Sequence, residues 1–492
     1  MVHPNFPTFK KLTAKGNLIP VVKELILDCE TPVSVFQKIA LKEKSAFLLE
    51  SVEYGEKIGR YSFLGYDPDI ILEQKRGSVL IKEQGKKIRR KGNKDILAVM
   101  KQVLQKYCYV PLRGLPVLCG GFVGFLSYEN VVIFEDIQLK KRASLGFPLA
   151  IFFLTKKLLV FDHVDKKVRI IVLSSVRGDI KGAYNKALRD IAHIERKLSH
   201  YGSIKKVKGK DTKKLQIESN MSKSEFESAV KKIKHYIREG DVIQVVLSQR
   251  LSLGTINNDF NVYRALRTVN PSPYMFYFKH NAICLIGSSP EVLVKNEGGH
   301  AEVRPIAGTR KRGRTEAEDL CLAEDLKQDE KELAEHLMLV DLGRNDLGRV
   351  CTFNSVAVKD YARVEKYSHV MHLVSEVHGL LKKKKDSFDL VRATFPAGTL
   401  TGAPKIRAME IINELESSER GPYGGCLGYF SVSGDCDMCI TIRTIMIKDK
   451  KAYLQAGAGI VYDSVPAREY RETLNKAKAL IKAVEIAEEE LA

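Results

Sequence analysis

The sequence predicts an α+β fold built on large antiparallel sheets, and three observations carry that prediction. Short runs of alternating apolar and polar residues, broken by Gly and by Asp67-Pro-Asp, recur through residues 45–85, as antiparallel strands require. Helical spacing of apolar residues appears at 180–198 and again at 222–240. Strands and helices then mix without regular alternation, which disfavours a doubly wound parallel sheet.

Taken in order, Ala46-Phe-Leu-Leu-Glu and Ser78-Val-Leu-Ile-Lys exemplify the first strands. Further strands are expected at 118–128, 149–162 and 167–174, followed by the helix at 180–198. A lysine-rich stretch, residues 202–215, separates an N-terminal region (1–201) from a C-terminal region (216–492). Ser222 to Gly240 has a capping residue at its start and glycine at its end, and Asp241-Val-Ile-Gln-Val-Val-Leu-Ser follows as a strand.

With 492 residues, 44% hydrophobic and 28% charged, the chain has ample length for a large core and the composition of an ordinary globular protein. Its 9 cysteines are scattered, and Cys436 with Cys439 lacks the second pair that a structural zinc site would need. Reduced thiols, and the absence of a signal-peptide pattern or a long apolar run, point to a cytoplasmic protein. The net charge of +20 invites a nucleic-acid reading, but the lysines concentrate at 205–214 and 382–385 without interleaved aromatics to stack bases. A solvated basic surface that aids solubility fits this distribution better, and its positive field would also raise the local concentration of a dianionic metabolite.

Two acidic pairs stand out. Glu469 and Glu472 are three apart on one predicted helix, and Glu332 and Glu335 repeat that spacing on another, so each pair shares a helix face. Either pair alone is more often a solvated face. Four carboxylates meeting in a fold require a cation, and oxygen ligands without a Cys or His cluster favour Mg²⁺. Three Gly-rich turns, at 305–310, 395–405 and 454–461, would let backbone amides approach an anion. None has the spacing of a P-loop or of a dinucleotide fold.

Together these segments resemble the component I, or large-subunit, anthranilate synthases of the chorismate-utilising enzyme family. The resemblance rests on Leu48-Leu-Glu-Ser51, Pro305-Ile-Ala-Gly-Thr-Arg310, Asp341-Leu-Gly-Arg-Asn-Asp346, His369-Val-Met-His-Leu-Val-Ser-Glu376, the 395–405 loop, Gly421-Pro-Tyr-Gly-Gly, Ile442-Arg-Thr, Gln455-Ala-Gly-Ala-Gly and the 469–476 helix. From Pro305 onward they run in family order within residues 220–485, and the N-terminal region matches more loosely. The resemblance implies two large antiparallel sheets packed as a sandwich with helices on the outside.

It also implies site roles. Glu335 and Glu472 would bind Mg²⁺ directly, with Glu332 and Glu469 holding its waters. Lys476 would lie near the ring carboxylate of chorismate, and Arg443 would take the enolpyruvyl carboxylate with help from Tyr423 and the amides around Gly457 and Gly459. Glu291 and His372 match the family's acid and active-site histidine, their separate roles left open, and Thr399 would orient the substrate. Gln244 stands where relatives that activate water carry lysine, and Ala307 stands where relatives that make 4-amino-4-deoxychorismate carry a nucleophilic lysine. Both positions point to attack by free ammonia and to anthranilate.

The chain has no Gly-x-Cys-x-Gly nucleophile elbow, so the resemblance implies a separate glutamine amidotransferase subunit (component II) that supplies ammonia. Leu49, Glu50 and Ser51, with Pro273, Tyr274 and Met275, match the family's L-tryptophan inhibitor pocket, and Arg60 is a further candidate for its wall. An aminodeoxychorismate synthase is the alternative within the family. A basic nucleic-acid or partner-binding protein is the alternative outside it, and it would leave the glutamate pairs without a use.

Overall fold

The computed structural model describes residues 2–51, 59–83, 86–92, 95–140, 142–199, 215–366 and 370–489. The predicted basic linker, 202–215, lies outside the described residues except for Leu215. Among the described residues, two antiparallel sheets of thirteen and twelve strands form the body of the protein, and both draw strands from either side of that linker.

In the first sheet the two regions meet where Ser45–Glu50 pairs with Tyr274–His280, setting Glu50 opposite Met275 and Leu49 opposite Phe276. In the second they meet where Gly121–Leu126 pairs with Cys426–Ser431. The first sheet is apolar on both faces, so its strands read as hydrophobic runs. Phe47 faces the second sheet, whereas Ala46 and Leu48 face helices. The sheets close on each other through aromatic contacts: Phe278 stacks on Phe153 at 4.5 Å and meets Phe125 edge-on at 5.7 Å.

Helices Phe6–Leu12, Pro32–Ile39, Ile180–Ser199, Asp259–Val269 and Pro466–Glu489 cover the outer face of the first sheet. The α+β sandwich is as predicted. Helix Lys223–Arg238 has a capping box, with the Ser222 hydroxyl accepting from Glu225 N at 3.3 Å and the Glu225 carboxylate accepting from Ser222 N at 2.7 Å. Its buried Phe226, Ala229, Val230 and Ile233 follow helical spacing, and Gly240 ends it with φ +82°. The next strand begins at Gln244, three residues later than the sequence suggested, because Ile243 N donates to Ala403 O and is held by the 395–405 loop.

Both glutamate pairs lie near helix N-termini, where the helix dipole favours carboxylates. Glu332 and Glu335 belong to Glu330–Gly348, whose cap Asp329 accepts from Lys331 N and Glu332 N. Glu469 and Glu472 belong to Pro466–Glu489, which opens with proline.

Candidate active site

The site is built on the strand pair Gln244–Thr255 and Lys451–Ile460, in which Val246 faces Gly459 and Ser248 faces Gly457. Both glycines leave room for side chains to cross the strand. A Cβ on Gly459 would stand 2.7 Å from Gln244 Nε2, and one on Gly457 would stand 2.9 Å from the Tyr423 hydroxyl. Gln244 Nε2 donates to Glu335 Oε1 at 2.9 Å. Lys476 Nζ donates to Gly457 O at 3.0 Å and pairs with Glu472 at 2.7 Å. Glu335 and Glu472, from different helices, are thereby tied to two paired strands, Glu335 through Gln244 and Glu472 through Lys476 to Gly457.

The other members of each pair carry the cost of crowded charge. Burial, followed by the charges of Glu335 and Asp329, pushes the Glu332 carboxyl above its ordinary range, against the opposing pull of Arg310. Burial also raises Glu469, with a Ser464 hydrogen bond opposing and the Glu472 charge adding. Among the described residues no group of three or more His, Cys, Asp or Glu side chains is gathered closely enough to hold a metal ion, so the expected meeting of all four glutamates is not seen. The donors are instead two carboxylate pairs, an all-oxygen set that suits Mg²⁺ with waters and substrate completing its coordination.

Glu291 is buried beside the 395–405 loop, and Thr399 Oγ1 donates to its Oε1 at 2.9 Å. Burial pushes its pKa up to about 8, with the Thr399 bond and the Lys476 charge working in the opposite direction. At neutral pH this carboxyl therefore carries its proton.

His372 sits on strand Val370–Leu380, with Leu373 directly opposite Ala307. Its Nδ1 donates to Gly308 O at 2.8 Å, and since a carbonyl can only accept, Nδ1 bears the hydrogen and Nε2 the lone pair. Burial lowers its pKa, with the Gly308 bond opposing and the Arg443 charge adding, so the ring is neutral at pH 7. Gly308 adopts φ +66°, and a Cβ there would lie 3.2 Å from Glu332 Oε2. The 305–310 turn thus touches both the histidine and a glutamate pair.

Arg443 adopts φ +45°, a left-handed conformation uncommon for a side chain of its size. Its guanidinium donates to Asn270 Oδ1 at 3.4 Å and forms no ion pair among the described residues. Burial lowers its pKa. A partly buried cation with no acid of its own among the described residues can receive a carboxylate.

The proposed inhibitor residues form a second, separate group. Leu49 and Glu50 lie on the strand next to Met275. Glu50 is engaged by protein, accepting from the Tyr263 hydroxyl and pairing with Arg267 at 3.0 Å. Tyr274 donates to Asp437 at 2.9 Å, and the buried Ser51 hydroxyl has no hydrogen-bond partner among the described residues. Pro273 precedes Tyr274 at the start of that strand, and Arg60 is turned to Asp162 and Asp165 at 3.1 and 3.4 Å.

Sequence reasoning took Pro305-Ile-Ala-Gly-Thr-Arg310 as a motif and Asn270-Pro-Ser-Pro-Tyr-Met-Phe276 as part of the inhibitor pocket, but gave Gly308 and Asn270 no part in the active site. Gly308 O fixes the histidine tautomer and Asn270 holds Arg443. Their signal was position within a motif, which does not reveal a backbone carbonyl or a second-layer amide.

An acid, a neutral histidine, an arginine with no ion pair among the described residues, two carboxylate pairs on helices and a strand opened by glycines form a site able to take a small anionic ligand. The chain belongs to the chorismate binding enzyme family, which it matches over residues 45–482. It is 48% identical over 496 residues to the anthranilate synthase component 1 of Acetivibrio thermocellus, covering 99% of this chain and 100% of that protein. It is 48% identical to the protein of the same name from Aquifex aeolicus, covering 98% and 97%. The crystal structure of anthranilate synthase component I from Streptococcus pneumoniae superposes with a TM-score of 0.77 at 37% identity, covering 93% of this chain and 98% of that one.

Proposed function

We propose that the chain is the large subunit of an anthranilate synthase, converting chorismate and ammonia to anthranilate and pyruvate in tryptophan biosynthesis. The observation that carries this reading is the buried, protonated Glu291 held by Thr399, because the reaction must expel hydroxide, a poor leaving group, as water.

Arg443 holds the enolpyruvyl carboxylate as a planar fork, with Tyr423 and the strand around Gly457 and Gly459 against the substrate. The Mg²⁺ that suits this donor set would be held by Glu335 and Glu472, with Glu332 and Glu469 behind them, and supplies positive charge for the ring carboxylate, next to Lys476. Ammonia attacks C2 as Glu291 gives its proton to the C4 hydroxyl, which leaves as water while the ring double bonds shift. The new ammonium gives up one proton to solvent, the ring proton at C2 leaves to a base, for which the Nε2 lone pair of His372 is suited, and the C3–O bond breaks to release enolpyruvate, which takes a proton on its methylene carbon to become pyruvate. Gln244 spends its amide on Glu335 and offers no base for water, and Ala307 offers no nucleophile.

The ammonia comes, in this reading, from a partner glutamine amidotransferase. The Leu49–Ser51 and Pro273–Met275 pair of segments forms the L-tryptophan pocket for feedback inhibition. Nine unpaired cysteines fit a cytoplasmic setting, and no helix among the described residues is long and apolar enough to cross a membrane.

The test is purified protein with chorismate, Mg²⁺ and ammonium chloride at alkaline pH, read by anthranilate fluorescence and chromatography. Anthranilate is expected, and its formation should fall when L-tryptophan is added. Aminodeoxychorismate or isochorismate as the accumulating product would refute the assigned reaction.

A further inference from the structure

Arg420 is almost wholly buried, 2% exposed, and its guanidinium reaches three separate chain segments. Nη1 donates to Leu400 O at 2.6 Å, Nη2 donates to Val246 O at 2.9 Å, and Nε and Nη2 grip Glu416 at 2.9 and 2.6 Å. Each carbonyl belongs to a segment of the site. Leu400 follows Thr399, the donor to Glu291, while Val246 lies two residues beyond Gln244 and opposite Gly459. Arg420 itself lies three residues before Tyr423, and its guanidinium is 4.7 Å from the Tyr128 ring and 5.7 Å from the Tyr423 ring.

The anchor is itself fixed. Glu416 also accepts from Ser248 N at 2.9 Å and Ser248 Oγ at 2.7 Å. From the N-terminal region, buried Glu129 accepts from Arg420 N at 2.7 Å and from Gly421 N at 3.1 Å, setting the turn that leads to Tyr423.

We propose that Arg420 is a positioning residue for the reaction: one rigid donor fork sets the Thr399 loop, the Gln244 strand and the Tyr423 turn relative to one another. A structural ion pair would need only Glu416. Two donors spent instead on carbonyls of the site's own segments are what a positioning role requires. Lysine would keep the charge but cannot reproduce donors fixed in one plane, so Arg420→Lys is not conservative here.

The inference rests on the proposed anthranilate synthase reading, and the experiment separates the two by first identifying the product of the wild-type protein, then running the same comparison on whatever product chorismate gives. Arg420→Lys is expected to lower kcat about tenfold or more with a smaller change in KM, because the acid contact to Thr399 acts in the transition state. Thr399→Ala in the Arg420→Lys background should then cost little beyond the slower single variant, whereas independent roles would multiply. A folded Arg420→Lys protein with a lower Tm but wild-type kcat, or a fully multiplicative double variant, would overturn the proposal. Should Arg420→Lys fail to fold, Ser248→Ala, which removes the hydroxyl bond to Glu416 and the bond that hydroxyl accepts from Gln455 Nε2, decides, with Gln455→Ala as the control for the second loss: a several-fold fall in kcat beyond that of the control and non-additive with Thr399→Ala supports it, and kinetics no different from the control overturn it.

Discussion

Thr399 Oγ1 donates to Glu291 Oε1 at 2.9 Å, so a loop residue holds the carboxyl that burial keeps protonated up to about pH 8. The two lie more than a hundred residues apart in sequence and meet where the 395–405 loop lies beside the short link between strands Ile283–Ser289 and Val292–Glu297. A proton stored there at neutral pH is the chemical resource that the proposed reaction consumes.

Replacing Glu291 by Gln should remove proton donation while keeping size and the Thr399 contact. Turnover is expected to fall by about 10²–10⁴, the usual weight of general acid catalysis. The stability effect has a definite sign. A carboxyl raised from its ordinary range to about 8 contributes stability that is complete below the unfolded value and is lost as pH rises through the folded one. Thermal melts across pH should therefore show the Gln variant gaining on wild type between about pH 5 and pH 8.

Arg443 combines a left-handed backbone with a partly buried charge that has no acidic partner among the described residues. Removing it should hurt function and spare stability. Arg443→Met is expected to reduce kcat/KM for chorismate about 10- to 100-fold, the loss of a charge-assisted pair, with Tm unchanged or raised. Steady-state kinetics beside calorimetry check both halves.

The carboxylate pairs should show metal linkage. Activity is expected to vanish with EDTA and to return with Mg²⁺. Glu335→Gln or Glu472→Gln should raise the Mg²⁺ concentration needed for half-maximal activity by about tenfold or more. Titrating Mg²⁺ against initial rate checks this.

At the sandwich core, Phe278 contacts Phe153 and Phe125 across the two sheets. Phe278→Ala should cost about 3–5 kcal/mol, the range for deleting a buried aromatic ring, measured by denaturant unfolding where that unfolding is reversible.

Much of this was legible in the sequence. Local signals set the helix after Ser222, capped by its own third residue, and the spacing of Glu332, Glu335, Glu469 and Glu472. The motif order carried the site residues as a set. What the sequence did not reveal was long-range: that Gln244 spends its amide on Glu335, that Glu50 is already held by Tyr263 and Arg267, and that Arg420 reaches Leu400 and Val246. Such contacts depend on strand register and on backbone carbonyls, which leave no mark in residue type. The weave of both sheets from both halves was likewise hidden, since a basic stretch between two regions resembles a boundary whether or not the strands cross it.

The most direct measurement is kcat/KM for chorismate from about pH 6 to about pH 10 at constant free ammonia, in wild type and in Glu291→Gln. A wild-type profile that falls as pH rises through about 8, with the limb absent in the variant, is the predicted result. A wild-type profile flat across that range, or a limb that persists in Glu291→Gln, would contradict the assignment of the departing hydroxyl's proton to Glu291.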